Sequence, residues 1–111
     1  MHIVFASSKL QKEFEDDRAL QKKQGKIRAD KIKKRMLQLE SATPLAQLRN
    51  QPGKFHELTG DRKGFLACDL DQPYRLIFAP ADEPVPKLPN GGLDWEKVTS
   101  VCIHEVVNYH D

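Results

Sequence analysis

The stretch FHELTGDRKGFLACDLDQPYRLIF, residues 55–78, decides the fold. Its apolar positions recur near every second residue, and turn-forming residues cut it twice, over 60–64 and over 71–73. A period of two is that of strands with one buried face, so three strands are expected over residues 54–59, 65–70 and 74–79. The connections are too short for a crossover, and neighbours must therefore pair antiparallel through hairpins. On the third strand Tyr74, Leu76 and Phe78 point one way, which sends Arg75 and Ile77 to the other. If helices cover the Tyr74 side, Arg75 stands on the open side of the sheet, where His56 could join it from a neighbouring strand. A guanidinium there needs an anion or water, and Asp69 or Asp71 could supply one as a surface salt bridge.

Upstream the period changes. Residues 2–6 form a short β-favouring run, and Ser7 or Ser8 can cap a helix because a serine hydroxyl accepts a bond from an orphan amide of the first turn. Leu10 and Phe14 mark its inner face, the continuation through Leu20 drifts off phase, and Gly25 supplies a stop. From Lys26 the apolar residues Ala29, Ile32, Met36 and Leu39 recur at three and four, one stripe of an amphipathic helix whose remaining surface is taken by lysines. Two helices in a hairpin are expected. Thr43 and Pro44 then signal a short helical turn over Leu45 and Leu48.

Downstream, residues 80–97 carry four prolines and the Asn90, Gly91, Gly92 triplet. Only fourteen residues follow, so this reads as a loop insertion within one domain spanning 1–111, with Trp95 pinning it down. In the final run, alternation puts Val101, Ile103 and Val107 on one face and Cys102, His104, Val106 and Asn108 on the other. Immediately beyond come Tyr109 and His110, two proton-transfer groups held one step past a strand.

Composition narrows the classes. With 39% apolar and 31% charged residues the chain has the balance of a folded soluble domain. No run approaches the roughly 18 apolar residues of a membrane span, and the first five residues are too few for a secretory segment, so a cytoplasmic protein without a membrane partner is expected. Cys68 and Cys102 sit in strand-like runs with no paired-cysteine spacing and no neighbouring histidine pair, which argues for buried thiols over zinc or a disulfide. The net charge is only +2, yet Lys22, Lys23, Lys26, Arg28, Lys31, Lys33, Lys34 and Arg35 face a single acid, Asp30. Such a segment attracts phosphate, or simply solvates one helix face.

The run over 55–78, the segment GGLDWEKV (residues 91–98) and the ending IHEVVNYHD (residues 103–111) together resemble the killer-protein branch of the RelE/ParE toxin superfamily, the HigB-like toxins. The resemblance spans most of the chain and is most specific at 58–64 and at Asn108, Tyr109 and His110. It implies an α+β fold of the RelE-like microbial ribonuclease type, with a short N-terminal strand, a helical hairpin and then an antiparallel sheet. The activity it implies is that of a type II toxin–antitoxin toxin, a ribosome-dependent mRNA endonuclease that halts translation. No metal or other cofactor is needed in that scheme, since the RNA 2′-hydroxyl attacks the adjacent phosphate. The implied partners are the ribosome, mRNA and a helix-turn-helix antitoxin of the HigA-like kind.

Carried over residue by residue, the resemblance makes His56, Arg75, Tyr109 and His110 the catalytic set. His110 is the first choice for general acid or base, because an imidazole exchanges protons near neutrality, and His56 is its partner. Arg75 would stabilise the transition state through parallel bonds to phosphate, and Tyr109 would stack on a base or orient the phosphate. Arg62 and Lys63 would hold RNA backbone, and the basic helix with Lys26, Arg28, Lys33 and Lys34 would meet RNA or the ribosome. Two positions depart from the family pattern. Asn108 stands where an aspartate is common and Thr59 where a lysine is, which removes one negative and one positive charge. Two other classes remain open: a ParE-like gyrase inhibitor, which has no chemical use for the histidine and arginine set, and a catalytically attenuated antitoxin-binding protein.

Overall fold

The computed structural model describes residues 1–108. Tyr109, His110 and Asp111 lie outside the described residues. The elements are β1 (His2–Phe5), α1 (Ser8–Glu15), α2 (Asp17–Gln24), α3 (Lys26–Ser41), a 3-10 turn (Leu45–Leu48), β2 (His56–Glu57), β3 (Leu66–Asp69), β4 (Tyr74–Pro80) and β5 (Ser100–Asn108). This is the α+β architecture expected.

The first helical arm differs from the expected single helix. Ser7 caps α1 by accepting from the Leu10 amide at 3.1 Å. Asp16 then breaks the arm and restarts it, its carboxylate accepting from the Arg18 and Ala19 amides at 2.9 and 3.3 Å. That break accounts for the phase drift, because Leu20 belongs to a second helix with its own phase and is fully buried there. Gly25, at φ 81°, turns the chain into α3. Ala29, Ile32 and Leu39 of α3 are buried, but Met36 is only half-buried and the fourth buried residue is Arg35.

The five strands form one sheet in the order β1-β5-β4-β3-β2. β2 to β5 are antiparallel neighbours, as hairpin-length connections require. β1 instead lies parallel to β5, with His2 opposite Ser100 and Phe5 opposite Ile103, so the sheet is mixed. The helices cover the face that carries Leu66, Cys68, Leu76, Phe78, Val101 and Ile103, and these join Leu20, Ile32, Leu39, Leu45 and Leu48 in the main core.

β5 departs from simple alternation. Ile77 pairs with Glu105 while Phe78 pairs with Ile103, leaving His104 as an extra residue, a β-bulge. The bulge exchanges the faces of everything after it. Val106 packs with the helix-side core beside Val101 and Ile103, whereas Val107 joins Ala67 and Ile77 on the opposite side. The faces expected for Val106, Val107 and Asn108 are thereby reversed.

Between β4 and β5 the chain is held by defined contacts. Trp95 is buried, its Nε1–H donating to the Glu57 carboxylate at 3.0 Å. The Asp82 carboxylate accepts from the Thr99 and Ser100 amides and from the Thr99 hydroxyl. Val98 and Trp95 carbonyls accept from the Leu45 and Ala46 amides. Among the described residues, no helix is long and apolar enough to cross a membrane.

Candidate functional site

The face of the sheet away from the helices has an apolar floor of Leu58, Ala67 and Ile77, with Phe65 and Val107 packed against it. Cross-strand register sets the groups around that floor. One row runs from His56 through Ala67 and Ile77 to Glu105, and the next runs from Asp69 through Arg75 to Val107. His56 and Arg75 therefore share the face that alternation predicts. One strand lies between them and two residues offset them, about 12 Å between backbones at ordinary sheet spacings.

His56 is oriented by its own backbone. Its Nδ1 lies 2.6 Å from the Lys54 carbonyl oxygen. A carbonyl can only accept, so Nδ1 carries the proton, and in the neutral ring Nε2 is left as the basic nitrogen. This is the tautomer a general base needs.

Arg75 is held from the strand next to it. Its Nε lies 3.3 Å from Asp69 Oδ1, within ion-pair distance, yet that oxygen is buried and lacks an aligned hydrogen bond. The charges attract without a directional bond, and the attraction holds the guanidinium beside β3. Of the two acids the sequence offered to Arg75, Asp69 is the one used. Asp71 instead takes Arg28 in a two-point pair at 3.0 and 3.2 Å. Asp69 is fixed in turn, because its amide donates to the Gly53 carbonyl at 2.7 Å and its carbonyl accepts from Arg35 Nε at 2.7 Å.

Near the bulge, Arg62 reaches toward Glu105 at 3.8 Å. Lys63 is exposed at the turn between β2 and β3. The His104 ring meets Phe65 edge to face, with centroids 4.9 Å apart. His104 and Glu105 were not among the candidate site residues read from the sequence, whereas Asp69 was named there as an ion-pair partner for Arg75. The adjacent apolar pair Val106 and Val107, which breaks the alternation of β5, is the signal that could have revealed the first two.

The basic helix lies elsewhere. α3 packs on the opposite face of the sheet, so Lys26, Arg28, Lys33 and Lys34 do not surround His56 and Arg75. Lys26 pairs with Asp30 and Lys33 with Asp17, both at 3.2 Å, and Lys34 is exposed. Arg28 lies 3.4 Å from the centroid of the Tyr74 ring while it binds Asp71. Its role is to tie α3 to the β3–β4 turn, which leaves the lysines as the exposed cations of that helix.

Tyr109 and His110, the other two residues of the expected catalytic set, lie outside the described residues. Both described thiols are shifted upward by burial, Cys68 strongly and Cys102 less so, which keeps them protonated and unreactive. Among the described residues no group of three or more histidine, cysteine or acidic side chains could hold a metal ion.

No protein-family model matches the chain, and no curated protein sequence matches it significantly. A solved structure does match in three dimensions: a chain of the YoeB-YefM complex from Staphylococcus aureus, with a TM-score of 0.56 and 14% identity, covering 100% of this chain and 98% of that one. At that identity the likeness concerns the fold, and the fold is of the kind the sequence resemblance implied.

Proposed function

We propose that this protein is the toxin of a type II toxin–antitoxin system and acts as a ribosome-dependent, metal-independent mRNA endonuclease. The observation that carries the reading is the pairing of His56 and Arg75 on one sheet face, each held in a chemically useful orientation. The match in fold to a chain of a YoeB-YefM complex supports the toxin reading and an antitoxin partner, and the HigA-like kind of antitoxin rests on the sequence resemblance alone.

Cleavage would proceed by attack of the RNA 2′-oxygen on the adjacent phosphorus. The 2′-hydroxyl loses its proton, the bond to the 5′-oxygen breaks, and that oxygen gains a proton. The products are a 2′,3′-cyclic phosphate and a 5′-hydroxyl. His56 and His110 divide the two proton transfers, with the unprotonated Nε2 of His56 suited to removal and His110 to return. Arg75 supplies a fixed positive charge that stabilises the negative charge building on the phosphate oxygens. Tyr109 orients the phosphate or stacks on a base, and Arg62 and Lys63 hold the RNA backbone.

Induced expression is expected to arrest growth and translation and to leave transcripts with 5′-hydroxyl ends inside coding regions. Arrest should disappear in Arg75→Ala and His110→Ala and weaken in His56→Ala. Abundant folded protein with normal growth would sink the proposal. Arrest that survives all three substitutions, with relaxed plasmid supercoiling, would assign a gyrase inhibitor instead.

A further inference from the structure

A groove of about 650 Å³ opens between the β2–β3 turn and the loop that precedes β5. Of its lining residues, only Lys63 has a part in the proposed cleavage. Leu58, Phe65, Val85 and Leu93 give it an apolar lining, and Lys63 and Lys87 line it from the two segments. Among the described residues neither ammonium has an ion-pair partner. Its one carboxylate, Glu57, accepts from Trp95 Nε1–H and is thereby committed to holding the loop. Gly60, Gly64, Gly91 and Gly92 also line the groove, so much of its edge is bare backbone that a ligand can approach closely.

We infer that this groove binds single-stranded RNA, holding a nucleotide that flanks the cut phosphate, with its base on the apolar lining and its phosphates between Lys63 and Lys87. The volume falls within the roughly 300–1,000 Å³ of small-ligand sites. An apolar floor with an aromatic ring, bordered by cations, is the chemistry that single strands recognise. The groove also lies along the strands from His56. Leu58 lies two residues beyond His56, and Phe65 lies two residues before Ala67, the cross-strand partner of His56, an offset of about 7 Å. Since 79–93 supplies half the lining, this loop sets which flanking base is accepted. The inference rests on the endonuclease reading for the site beside it.

The test is a titration of the full chain with a fluorescein-labelled 2′-O-methyl hexaribonucleotide, which cannot undergo 2′-oxygen attack, read by anisotropy over a range of salt and by amide NMR shifts. Lys87→Ala should weaken binding and lower the salt slope by about 0.7, the value for one lost phosphate contact on a single strand. Shifts should concentrate at Phe65, Gly91 and Gly92. Lys9→Ala, an exposed lysine on α1, should change neither. The Lys87 effect should persist in Arg75→Ala, which separates groove binding from cleavage. Unchanged binding in Lys87→Ala, or shifts confined to α3, would overturn the groove while leaving the endonuclease reading intact. Loss of the endonuclease reading with Lys87-dependent binding retained would keep the groove as an RNA site. If a polyglutamate peptide produces the loop shifts and the oligonucleotide does not, the groove belongs to an acidic polypeptide and the RNA assignment is wrong.

Discussion

Replacing Arg35 by methionine separates a basic surface residue from a buried structural one. Arg35 is 8% exposed, donates from Nε to the Asp69 carbonyl at 2.7 Å and from an η nitrogen to Gln38 Oε1 at 3.0 Å. Methionine preserves most of the length and apolar contact but leaves both acceptors behind. Gln38 is only half-buried, so water can take the place of the guanidinium at its Oε1, and the loss falls mainly on the Asp69 carbonyl. A charged donor to a buried acceptor contributes about 1.5–3 kcal/mol. Removing a buried charge can relieve desolvation, but that gain requires its partners to be replaced too, and here they remain. A destabilisation of about 2–3 kcal/mol is expected, or about 8–15 °C in melting temperature for a domain of this size. Gly53→Ala supplies the complementary perturbation. Its new Cβ would lie 2.7 Å from Arg35 Nε and 3.0 Å from Cδ and Cζ, at a φ of +112° that already costs a side chain about 1–2 kcal/mol. Because both changes act on the same contact, the double variant should be less destabilised than the sum by about 1 kcal/mol. Urea unfolding of the four proteins measures this directly. If Arg35→Met stays within about 0.5 kcal/mol of the parent, as expected for the exposed Lys34→Ala, the structural assignment of Arg35 is wrong.

Other perturbations give equally definite outcomes. Asp69→Asn keeps the shape beside Arg75 but removes its charge, so kcat for RNA cleavage should fall about tenfold with little change in KM or melting temperature; an equal rise in KM would show that Asp69 does not position Arg75. Trp95→Phe removes the donor to Glu57 and should cost about 1–2 kcal/mol by urea unfolding, and Glu57→Gln, whose amide oxygen can still accept, should cost less. The buried Cys68 thiol titrates above its ordinary value of 9.0 because burial opposes the thiolate. Its folded form therefore holds the proton more tightly than the unfolded chain, and the stability this gives is complete below pH 9 and declines as pH rises beyond it. Cys68→Ala should flatten that alkaline decline by up to about 1.4 kcal/mol per pH unit, although its cavity lowers stability at every pH. An unchanged alkaline slope would refute the assignment.

What the sequence disclosed follows the range of the interactions concerned. The hairpins of β2 to β4 and the shared face of His56 and Arg75 are local, set by alternation and turn residues within 55–78. The parallel pairing of β1 with β5 joins residues almost a hundred apart, and no local pattern encodes it. Arg35 was misread because charge normally predicts exposure. The carbonyl it meets on β3, Gln38 on its own helix and the side-chain-free Gly53 make its burial favourable. The end of the chain was where the sequence resemblance was most specific, and the structure describes it only as far as Asn108.

The bulge in β5 has a cause that can be stated in residues. Ile103 is fixed opposite Phe78 in the helix-side core. A straight strand continuing from there would set His104 opposite Ile77 and Glu105 opposite Leu76, which has no exposed surface. A carboxylate in that core without a partner costs several kcal/mol, whereas a valine there is favourable. Inserting His104 as an unpaired residue moves Glu105 to the other face, within 3.8 Å of Arg62, and brings Val106 opposite Leu76. The same step puts Val107, not Val106, beside Arg75. The hydrophobic core thus selects the register, and the register sets what flanks the proposed catalytic arginine. Packing of Val106 against the core and orientation of the site are consequences of one extra residue.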